Sequence, residues 1–424
     1  SNAWANWTST VSLVTDTRYR VEDRARDNAG NVATSLSTAT FVLDQDVPVS
    51  APTFPTNGLF VRSIVALTNP VAGSYSDTGT VNRGSVAEIL VGLRQNGPPS
   101  AMRWWNGAGA FTLASPPVAE NAGIWTSSWT YPGVVSANLT SGTSYFLTVL
   151  ARDNASPAND EGFYSVRSVT FTFDNTAPTV AMTAPLDATY FSNASALTIT
   201  GTAADTSSGV NLVQVSIRNG GNYWSGTHNG AGSFSALLNY VTADFSGNPN
   251  WTFTIPTGEL SQDFVNGTSY QLQARAADVA GSTAAFTAVR NIIYDIGLPT
   301  ATVTNPVNFI GVADVAISGT ATDGASRVNT VQVAISSSAT GANGTWFDGA
   351  NFTANFGDVN TFRTATVTQD GGGAGIDTWS FTRPTLEQGK TYYIRLRTVD
   401  FAGNVRVQNT GEAITMIYDE VGPT

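Results

Sequence analysis

Hydrophobic and polar residues alternate along the chain in short stretches, and four of these stretches share the same beginning and end. Each begins with a tyrosine and ends with an aspartate eight residues later, namely Tyr19 to Asp27, Tyr145 to Asp153, Tyr270 to Asp278 and Tyr392 to Asp400. Alternation with a period of two is typical of a strand that buries one face. In three copies a glycine follows the aspartate by three residues and supplies the positive φ that a hairpin turn requires. The pattern predicts a repeated β-hairpin.

A second signature closes each copy and gives the length of the repeat. An aspartate and a proline four residues later occur at Asp44–Pro48, Asp174–Pro178, Asp295–Pro299 and Asp419–Pro423, with successive aspartates 130, 121 and 124 residues apart. Proline cannot donate to a strand ladder, so it marks a step into the next domain.

These spacings predict the domain organisation. Complete repeats are expected at residues 49–178, 179–299 and 300–424, and residues 1–48 are expected to be the C-terminal half of a further repeat. Residues 1–3 are expected to be a remnant of tag cleavage. Because the junctions are short and contain proline, we expect an extended array of domains.

The composition favours an all-β protein and excludes several functions. Only 12% of the residues are charged, and glycine, serine, threonine, alanine, asparagine and valine dominate. The absence of cysteine excludes disulfides and thiolate metal sites. A formal net charge of -11 argues against nucleic acid as a partner, because phosphates require lysine and arginine. No apolar stretch reaches the ~20 residues that span a bilayer, so direct membrane insertion of this segment is not expected.

The sequence offers no set of residues suited to catalysis. His228 is the only histidine, and it lies in a glycine-rich stretch without a nucleophile motif nearby. The carboxylates stand mainly in turn contexts rather than as a pair suited to glycoside hydrolysis. We therefore expect that the chain is not an enzyme.

Three segments that lead into the repeated tyrosines share a Gly-x-x-Tyr ending. They are Leu139–Tyr145, Phe264–Tyr270 and Leu386–Tyr392, and they resemble the tyrosine corner of Ig-like and fibronectin type III-like sandwiches. Together with the turns and the Asp-x-x-x-Pro endings, they resemble the bacterial Ig-like (Big) tandem repeats of large surface proteins and adhesins. The resemblance implies tandem immunoglobulin-like β-sandwiches in an extracellular or cell-surface protein, with a non-catalytic structural or adhesive role as a stalk or spacer. It leaves open a carbohydrate-binding module of an adhesin or of a secreted glycosidase.

The same resemblance implies candidate metal sites at the junctions. In an Ig-like sandwich the B–C and F–G loops lie at the end where the preceding linker arrives. Two sets of aspartates are therefore expected to converge, Asp174 with Asp205 and Asp278, and Asp295 with Asp323 and Asp400. Ca²⁺, which takes roughly six to eight oxygen ligands, is the candidate cofactor. At the first junction Arg83 stands near the third position beside Asp44 and Asp153, so poor metal binding or an ion pair is expected there. The alternative is that all of these aspartates only stabilise turns.

Aromatic residues beside glycine recur in another hairpin and form a second candidate site. The candidate ligand-binding residues are Trp104, Trp105, Tyr223, Trp224 and Trp346. Flat aromatic rings can stack on pyranose rings, so glycans or surface proteins of a host or the environment are candidate partners. The alternative is that these rings fill the cores, because aromatic side chains dominate core burial and a shared fold explains their recurrence.

Overall fold

The computed structural model describes residues 7–77, 85–98, 102–114, 120–124, 127–162, 167–247, 249–339, 345–354, 361–370 and 375–421. About 50% of the chain is strand and about 4% is helix, so the protein is an all-β array of sandwiches, as predicted. Within the described residues, no helix combines the length and apolar character that a membrane crossing requires.

The first element is a two-stranded hairpin. Strand β1 (Thr17–Asp23) pairs antiparallel with β2 (Ser37–Leu43), with Thr17 opposite Leu43 and Asp23 opposite Ser37. The turn between them is held by Asp27, whose Oδ1 accepts the backbone N–H groups of Ala29 and Asn31 at 2.9 and 2.8 Å. The alternating pattern that begins at Tyr19 therefore forms the predicted hairpin.

The first sandwich is built from eleven strands within the described residues. They are β3 (Val49–Phe54), β4 (Phe60–Val61), β5 (Val71–Ser76), β6 (Val86–Gln95), β7 (Arg103–Trp105), β8 (Phe111–Leu113), β9 (Glu120–Asn121), β10 (Gly123–Ile124), β11 (Ser128–Tyr131), β12 (Thr143–Asp153) and β13 (Val169–Phe173). The smaller sheet has the order β10-β11-β5-β3, and the larger has the order β4-β13-β12-β6-β7-β8 with β9 beside β6.

The second sandwich repeats this topology and adds one helix. Its elements are β14 (Thr179–Ala184), β15 (Thr189–Phe191), β16 (Leu197–Ala204), β17 (Val210–Asn219), β18 (Asn222–Trp224), β19 (Phe234–Ser235), β20 (Val241–Thr242), β21 (Asp244–Gly247), β22 (Asn250–Ile255), α1 (Thr257–Asp263), β23 (Thr268–Asp278) and β24 (Arg290–Tyr294). The sheets have the orders β14-β16-β22-β21 and β15-β24-β23-β17-β18-β19, with β20 beside β17. The short helix α1 is anchored by the fully buried Leu260.

The third sandwich follows the same plan. Its strands are β25 (Thr300–Asn305), β26 (Phe309–Ile310), β27 (Ala316–Thr322), β28 (Val328–Ser336), β29 (Thr345–Phe347), β30 (Phe352–Ala354), β31 (Arg363–Thr364), β32 (Thr366–Thr368), β33 (Asp377–Thr382), β34 (Thr391–Asp400), β35 (Val405–Val407) and β36 (Ile414–Tyr418). The sheets have the orders β25-β27-β33-β32 and β26-β36-β34-β28-β29-β30, with β31 beside β28 and β35 beside β34.

Each sandwich core contains a tryptophan that lies over a glycine of the neighbouring strand. Trp129, Trp251 and Trp379 are at most 2% exposed. Their cross-strand partners are Gly73, Gly201 and Gly319. A Cβ atom added to Gly201 would lie 2.3 Å from the Trp251 ring and 2.1 Å from the carbonyl oxygen of Ala181. The large ring therefore needs a residue without a side chain beside it.

The predicted tyrosine corners are present in all three sandwiches. The hydroxyl oxygens of Tyr145, Tyr270 and Tyr392 accept backbone N–H groups five residues upstream, at Thr140, Val265 and Glu387, over 2.9, 2.8 and 3.0 Å. The three rings are at most 2% exposed. Because each hydroxyl fixes the chain just before a long central strand, the corner sets where that strand begins.

The chain divides into two compact units. One contains Ser1–Pro178 together with Asp205–Val210 and Ala277–Thr283, and the other contains Thr179–Ala204, Asn211–Ala276 and Ala284–Thr424. The domain boundaries derived from the repeat spacing stay a prediction. The two short segments in the first unit, Asp205–Val210 and Ala277–Thr283, each contain one of the candidate aspartates.

Candidate metal centres

The first unit brings Asp174, Asp205 and Asp278 together, as the sequence predicted. Asp174 directly follows β13, Asp205 directly follows β16, and Asp278 is the last residue of β23. One carboxylate oxygen from each residue lies within 4.8 Å of the other two. Asp174 and Asp278 are 0% and 1% exposed, whereas Asp205 is partly exposed. Three strand ends thus direct three carboxylates to one point.

The turns around this first cluster are held by the same carboxylates. Asp205 Oδ1 accepts the backbone N–H groups of Ser207, Ser208 and Gly209 at 2.9, 2.9 and 2.8 Å. This is the turn-stabilising role that was the alternative to metal binding. Asp278 Oδ1 likewise accepts the N–H of Ser282 at 2.7 Å, but Asp278 Oδ2 is buried and has no hydrogen-bond partner. Turn formation alone leaves that second oxygen unused.

The second unit brings Asp295, Asp323 and Asp400 together in the same way. Their positions match the first cluster, because Asp295 follows β24, Asp323 follows β27 and Asp400 ends β34. One oxygen from each lies within 4.8 Å of the others, and the three residues are 0%, 6% and 1% exposed. This second cluster is more deeply buried than the first.

The hydrogen bonds of the second cluster also leave one oxygen unused. Asp323 Oδ1 accepts the backbone N–H of Ser326 at 2.8 Å, and Asp400 is bound through both oxygens by Asn404. Asp295 Oδ1 accepts the N–H of Gly297 at 2.7 Å, whereas Asp295 Oδ2 is buried without a hydrogen-bond partner. Each of the two predicted clusters therefore contains one buried carboxylate oxygen that the protein does not satisfy.

Burial and mutual repulsion perturb the acidity of these groups. Burial raises the pKa of Asp278, and the charges of Asp174 and Asp205 raise it further. Burial likewise raises the pKa of Asp295 and of Asp400, with contributions from the neighbouring carboxylates. Asp174 behaves differently, because hydrogen bonds from Ser208, Thr176 and Ser141 outweigh its burial and lower its pKa. In the described part of the chain, no lysine or arginine forms an ion pair with any of the six aspartates.

Comparison with known proteins gives a family match for one stretch of the chain. Residues 178–274 match a family model described as a bacterial Ig domain. The sandwiches resemble bacterial Ig-like domains, as the sequence predicted. Among solved structures, it is similar to the fibronectin(III)-like modules of Clostridium thermocellum CbhA, with 14% identity, 57% of this chain and 95% of that chain covered, and a TM-score of 0.26. A search of curated proteins gave no match.

The likeness of residues 178–274 to this family suggests a general kind of module. Bacterial Ig-like domains are structural or adhesive modules, and they are in general not catalytic. They typically belong to extracellular or surface proteins. The matched stretch begins one residue before β14 and ends inside β23, so it includes Asp205 but not Asp278.

The Ig-like repeats contain a third acidic cluster that the sequence interpretation missed. Asp44, Asp77 and Asp153 also bring one carboxylate oxygen each within 4.8 Å of the others. Arg83, which was expected near the third position, lies outside the described residues. The third carboxylate is instead Asp77, which directly follows β5 as Asp205 follows β16. The signal was present in the sequence as an aspartate directly after an alternating stretch, but Asp77 is farther from the next strand, which begins at Val86, than Asp205 is from the strand that begins at Val210.

The aromatic residues proposed as a sugar platform lie mostly in the cores of the Ig-like repeats. Trp104, Trp105, Trp224 and Trp346 are 4%, 2%, 1% and 4% exposed, and Tyr223 is partly exposed. Trp105 Nε1 donates to the hydroxyl of Tyr131 at 3.0 Å, and the Arg94 guanidinium lies 5.6 Å from the Trp104 ring centroid. Stacking on a pyranose needs an exposed ring face, so these positions give the sugar hypothesis no support. They match the alternative in which the rings pack within the fold.

Proposed function

We propose that this chain is a non-catalytic structural or adhesive segment of an extracellular bacterial protein, in which Ca²⁺ stiffens the joints between successive Ig-like repeats. One observation carries the calcium part. Two buried clusters, one around Asp278 and one around Asp295, each direct three carboxylates to one point and each leave a buried carboxylate oxygen without a hydrogen bond. An unsatisfied buried acceptor is rare, because burying it costs about 1–3 kcal/mol.

Electrostatic repulsion among the clustered carboxylates is a second, independent reason to expect a bound cation. Carboxylates at most 4.8 Å apart repel one another by about 3 kcal/mol per pair at the effective dielectric typical of proteins, if all are ionised. No arginine or lysine of the described residues neutralises either cluster by an ion pair. A divalent cation would remove the repulsion and satisfy the free oxygens at once.

The chemistry of the ligands favours Ca²⁺ over other cations. The clusters offer oxygen atoms only, since the chain has no cysteine and its single histidine, His228, is elsewhere. Zinc and later transition metals prefer nitrogen and sulfur ligands, and Mg²⁺ demands a compact octahedral shell. Ca²⁺ accepts irregular sets of carboxylates and carbonyls such as those found in loops.

The position of the ligands supports a role at joints. In the second cluster, Asp295 follows the last strand of one sandwich, whereas Asp323 follows β27 and Asp400 ends β34 of the next. In the first cluster, Asp174 follows β13, Asp205 follows β16 and Asp278 ends β23, and the three residues belong to one compact unit. A cation held by all three aspartates would tie three strand ends together and restrict their relative motion.

Calorimetry on the whole chain tests metal binding. After chelator treatment, titration with Ca²⁺ should give heat for at least two sites and should raise the melting temperature. The double variant Asp278→Asn, Asp295→Asn should lose most of the heat of Ca²⁺ binding and most of the rise in melting temperature. The matched control is Asp244→Asn, which removes an exposed carboxylate and should leave both unchanged. Absence of heat and of any melting shift in millimolar Ca²⁺ would refute the calcium proposal.

Small-angle scattering tests the mechanical part of the proposal. Profiles recorded with Ca²⁺ and then with excess chelator should differ, because the joints become more mobile when the cation is removed. Identical profiles would mean that packing and proline alone fix the joints. For the carbohydrate-binding alternative, the described residues provide no comparable observation.

A further inference from the structure

The three sandwiches end in the same local structure, which we call the exit end. It consists of a short strand paired in parallel with the last strand, followed by an aspartate. The aspartate N–H donates to the short strand in each case, from Asp174 to Val61, from Asp295 to Phe191 and from Asp419 to Ile310, over 2.9, 2.9 and 3.0 Å. The third exit end, around Asp419, is therefore built like the other two.

The first two exit ends each bind a turn that follows a cluster aspartate. Arg62, next after β4, donates from Nη1 to the carbonyl oxygen of Gly281 at 2.7 Å. Ser192, the equivalent residue after β15, donates from its hydroxyl to the carbonyl oxygen of Ala402 at 3.0 Å. Gly281 and Ala402 lie three and two residues after Asp278 and Asp400. Two copies of the exit end thus recognise the same feature of an Ig-like repeat.

The corner glycines reveal a second common contact. A Cβ atom added to Gly142 would lie 3.1 Å from the hydroxyl of Ser207, and one added to Gly267 would lie 3.9 Å from Ala325 Cβ. Ser207 and Ala325 both lie two residues after a cluster aspartate, in equivalent loops. The equivalent position in the third sandwich, Gly389, has nothing within 4 Å.

At the third exit end, large apolar side chains are exposed to solvent in this chain. At the second exit end, the ring of Tyr190 packs 6.3 Å from that of Phe401. Phe309 pairs with the last strand at the equivalent register position and is 62% exposed. Val312 and Val421, each two residues from the hydrogen-bonded Ile310 and Asp419, are 66% and 62% exposed. Large exposed apolar residues grouped in this way mark interaction surfaces.

We propose that the third exit end, formed by Phe309, Val312, Gly389, Asp419 and Val421, is a docking surface for another Ig-like repeat. The partner presents an Asp-x-Ala-Gly type of turn to Phe309 and a loop with a small residue to Gly389. Gly311 stands where Arg62 and Ser192 donate, so apolar contacts replace the side-chain hydrogen bond. This docking surface goes beyond the calcium proposal, because the packing contacts do not require a cation.

Cysteine labelling in an extended chain tests the docking surface. Residues 301–424 are appended after Thr424, which preserves the Pro-Thr spacing found at Pro299 and Thr300. Because the chain contains no cysteine, Phe309→Cys gives a single reporter thiol. Its reaction with a soluble disulfide reagent should be at least about tenfold slower in the extended chain than in the original chain. Val421→Cys, which keeps the Phe309 ring, should be protected in the same way.

Controls separate docking from the other effects. Leu237→Cys, at a residue that is 78% exposed in the second sandwich, should react at the same rate in both chains. The rates are measured with Ca²⁺ and with chelator. Protection in both conditions supports docking even where calorimetry finds no calcium binding, whereas protection only with Ca²⁺ would overturn docking by packing contacts alone. Equal rates for both reporters in the two chains, under both conditions, would overturn the proposal.

Discussion

Asn404 holds both carboxylate oxygens of Asp400, one through its backbone N–H and one through its side-chain amide, each over 2.8 Å. The same amide nitrogen donates to the carbonyl oxygen of Asp295 at 2.9 Å. Asn159 has the equivalent role for Asp153 and the carbonyl of Asp44. In the second sandwich the equivalent position, four residues after Asp278, is occupied by Ser282. Its side chain does not donate to Asp278 Oδ2. One amino-acid difference therefore explains the unsatisfied oxygen of the first cluster.

Ser282→Asn should stabilise the metal-free chain. The longer side chain can supply the hydrogen bond that Asp278 Oδ2 lacks, which is worth about 1 kcal/mol. Urea unfolding in chelator should show a higher midpoint than the parent. An unchanged or lower midpoint would contradict this explanation of the free oxygen.

Asn404→Ser should have the opposite effect in the third sandwich. It removes the amide donor from Asp400 Oδ2 and from the carbonyl of Asp295. The loss of two partly buried hydrogen bonds should lower the free energy of unfolding by about 2 kcal/mol, measured by urea unfolding. Asn291→Ser is the matched control, because it removes an exposed amide hydrogen bond to Asp187 and a long one of 3.5 Å from Gln271, and it should cost less than half as much.

Gly201→Ala should be strongly destabilising because its added methyl group meets both Trp251 and the Ala181 carbonyl. The neighbouring backbone has to shift, which costs about 3 kcal/mol or more. Gly221→Ala is the control, since an added Cβ there meets nothing within 4 Å. Thermal melting followed by tryptophan fluorescence distinguishes the two, and equal melting temperatures would refute the packing argument.

In the metal-free chain, the contribution of Asp278, Asp295 and Asp400 to stability should be lost as the pH rises through the acidic range. The pKa values of Asp278, Asp295 and Asp400 are raised in the folded chain by burial and by neighbouring charges. A raised folded pKa gives stability that is complete below the unfolded pKa of about 4 and is lost as the pH rises through the folded pKa. A variant with asparagine at all three positions isolates this contribution. Across this window, the urea midpoint of the parent chain in chelator should fall relative to that of the variant, and a constant difference between the two midpoints would argue against the prediction.

Glu161→Gln should destabilise the first sandwich. The buried carboxylate accepts the Ser50 N–H at 2.8 Å and the Arg167 Nη1 at 2.7 Å. Replacing the charge weakens these hydrogen bonds by about 2 kcal/mol. Glu88→Gln removes the partly exposed partner of Arg152 and should cost under about 1 kcal/mol. Chemical unfolding of both variants gives the loss in free energy of unfolding for each. Equal losses would mean that the burial of Glu161 does not strengthen its contribution to stability.

Much of this fold follows from the sequence because its features repeat. The Tyr-to-Asp strands, the tyrosine corners and the convergence of Asp174, Asp205 and Asp278 depend on local turn chemistry and on a shared topology, both of which are visible in the chain. Their role in metal binding stays a prediction.

Other features depend on contacts that are distant in sequence. Asp77 was missed because the sequence spacing to the next strand differs between repeats, although its place directly after a strand is the same. Glu161 contacts Ser50 across 111 residues, so no local pattern indicates its burial. The burial of Trp104 and Trp346 was left open, because an exposed platform and a filled core produce the same aromatic pattern.

The parallel pairing at each exit end has a mechanical consequence. The short strands β4, β15 and β26 lie near the start of their sandwiches, and they run parallel to the last strands β13, β24 and β36. Tension applied along the polypeptide pulls the members of each pair in opposite directions along their common axis. The connecting hydrogen bonds are then loaded in shear and must yield together rather than peel apart one by one, so each repeat can bear force before it unravels.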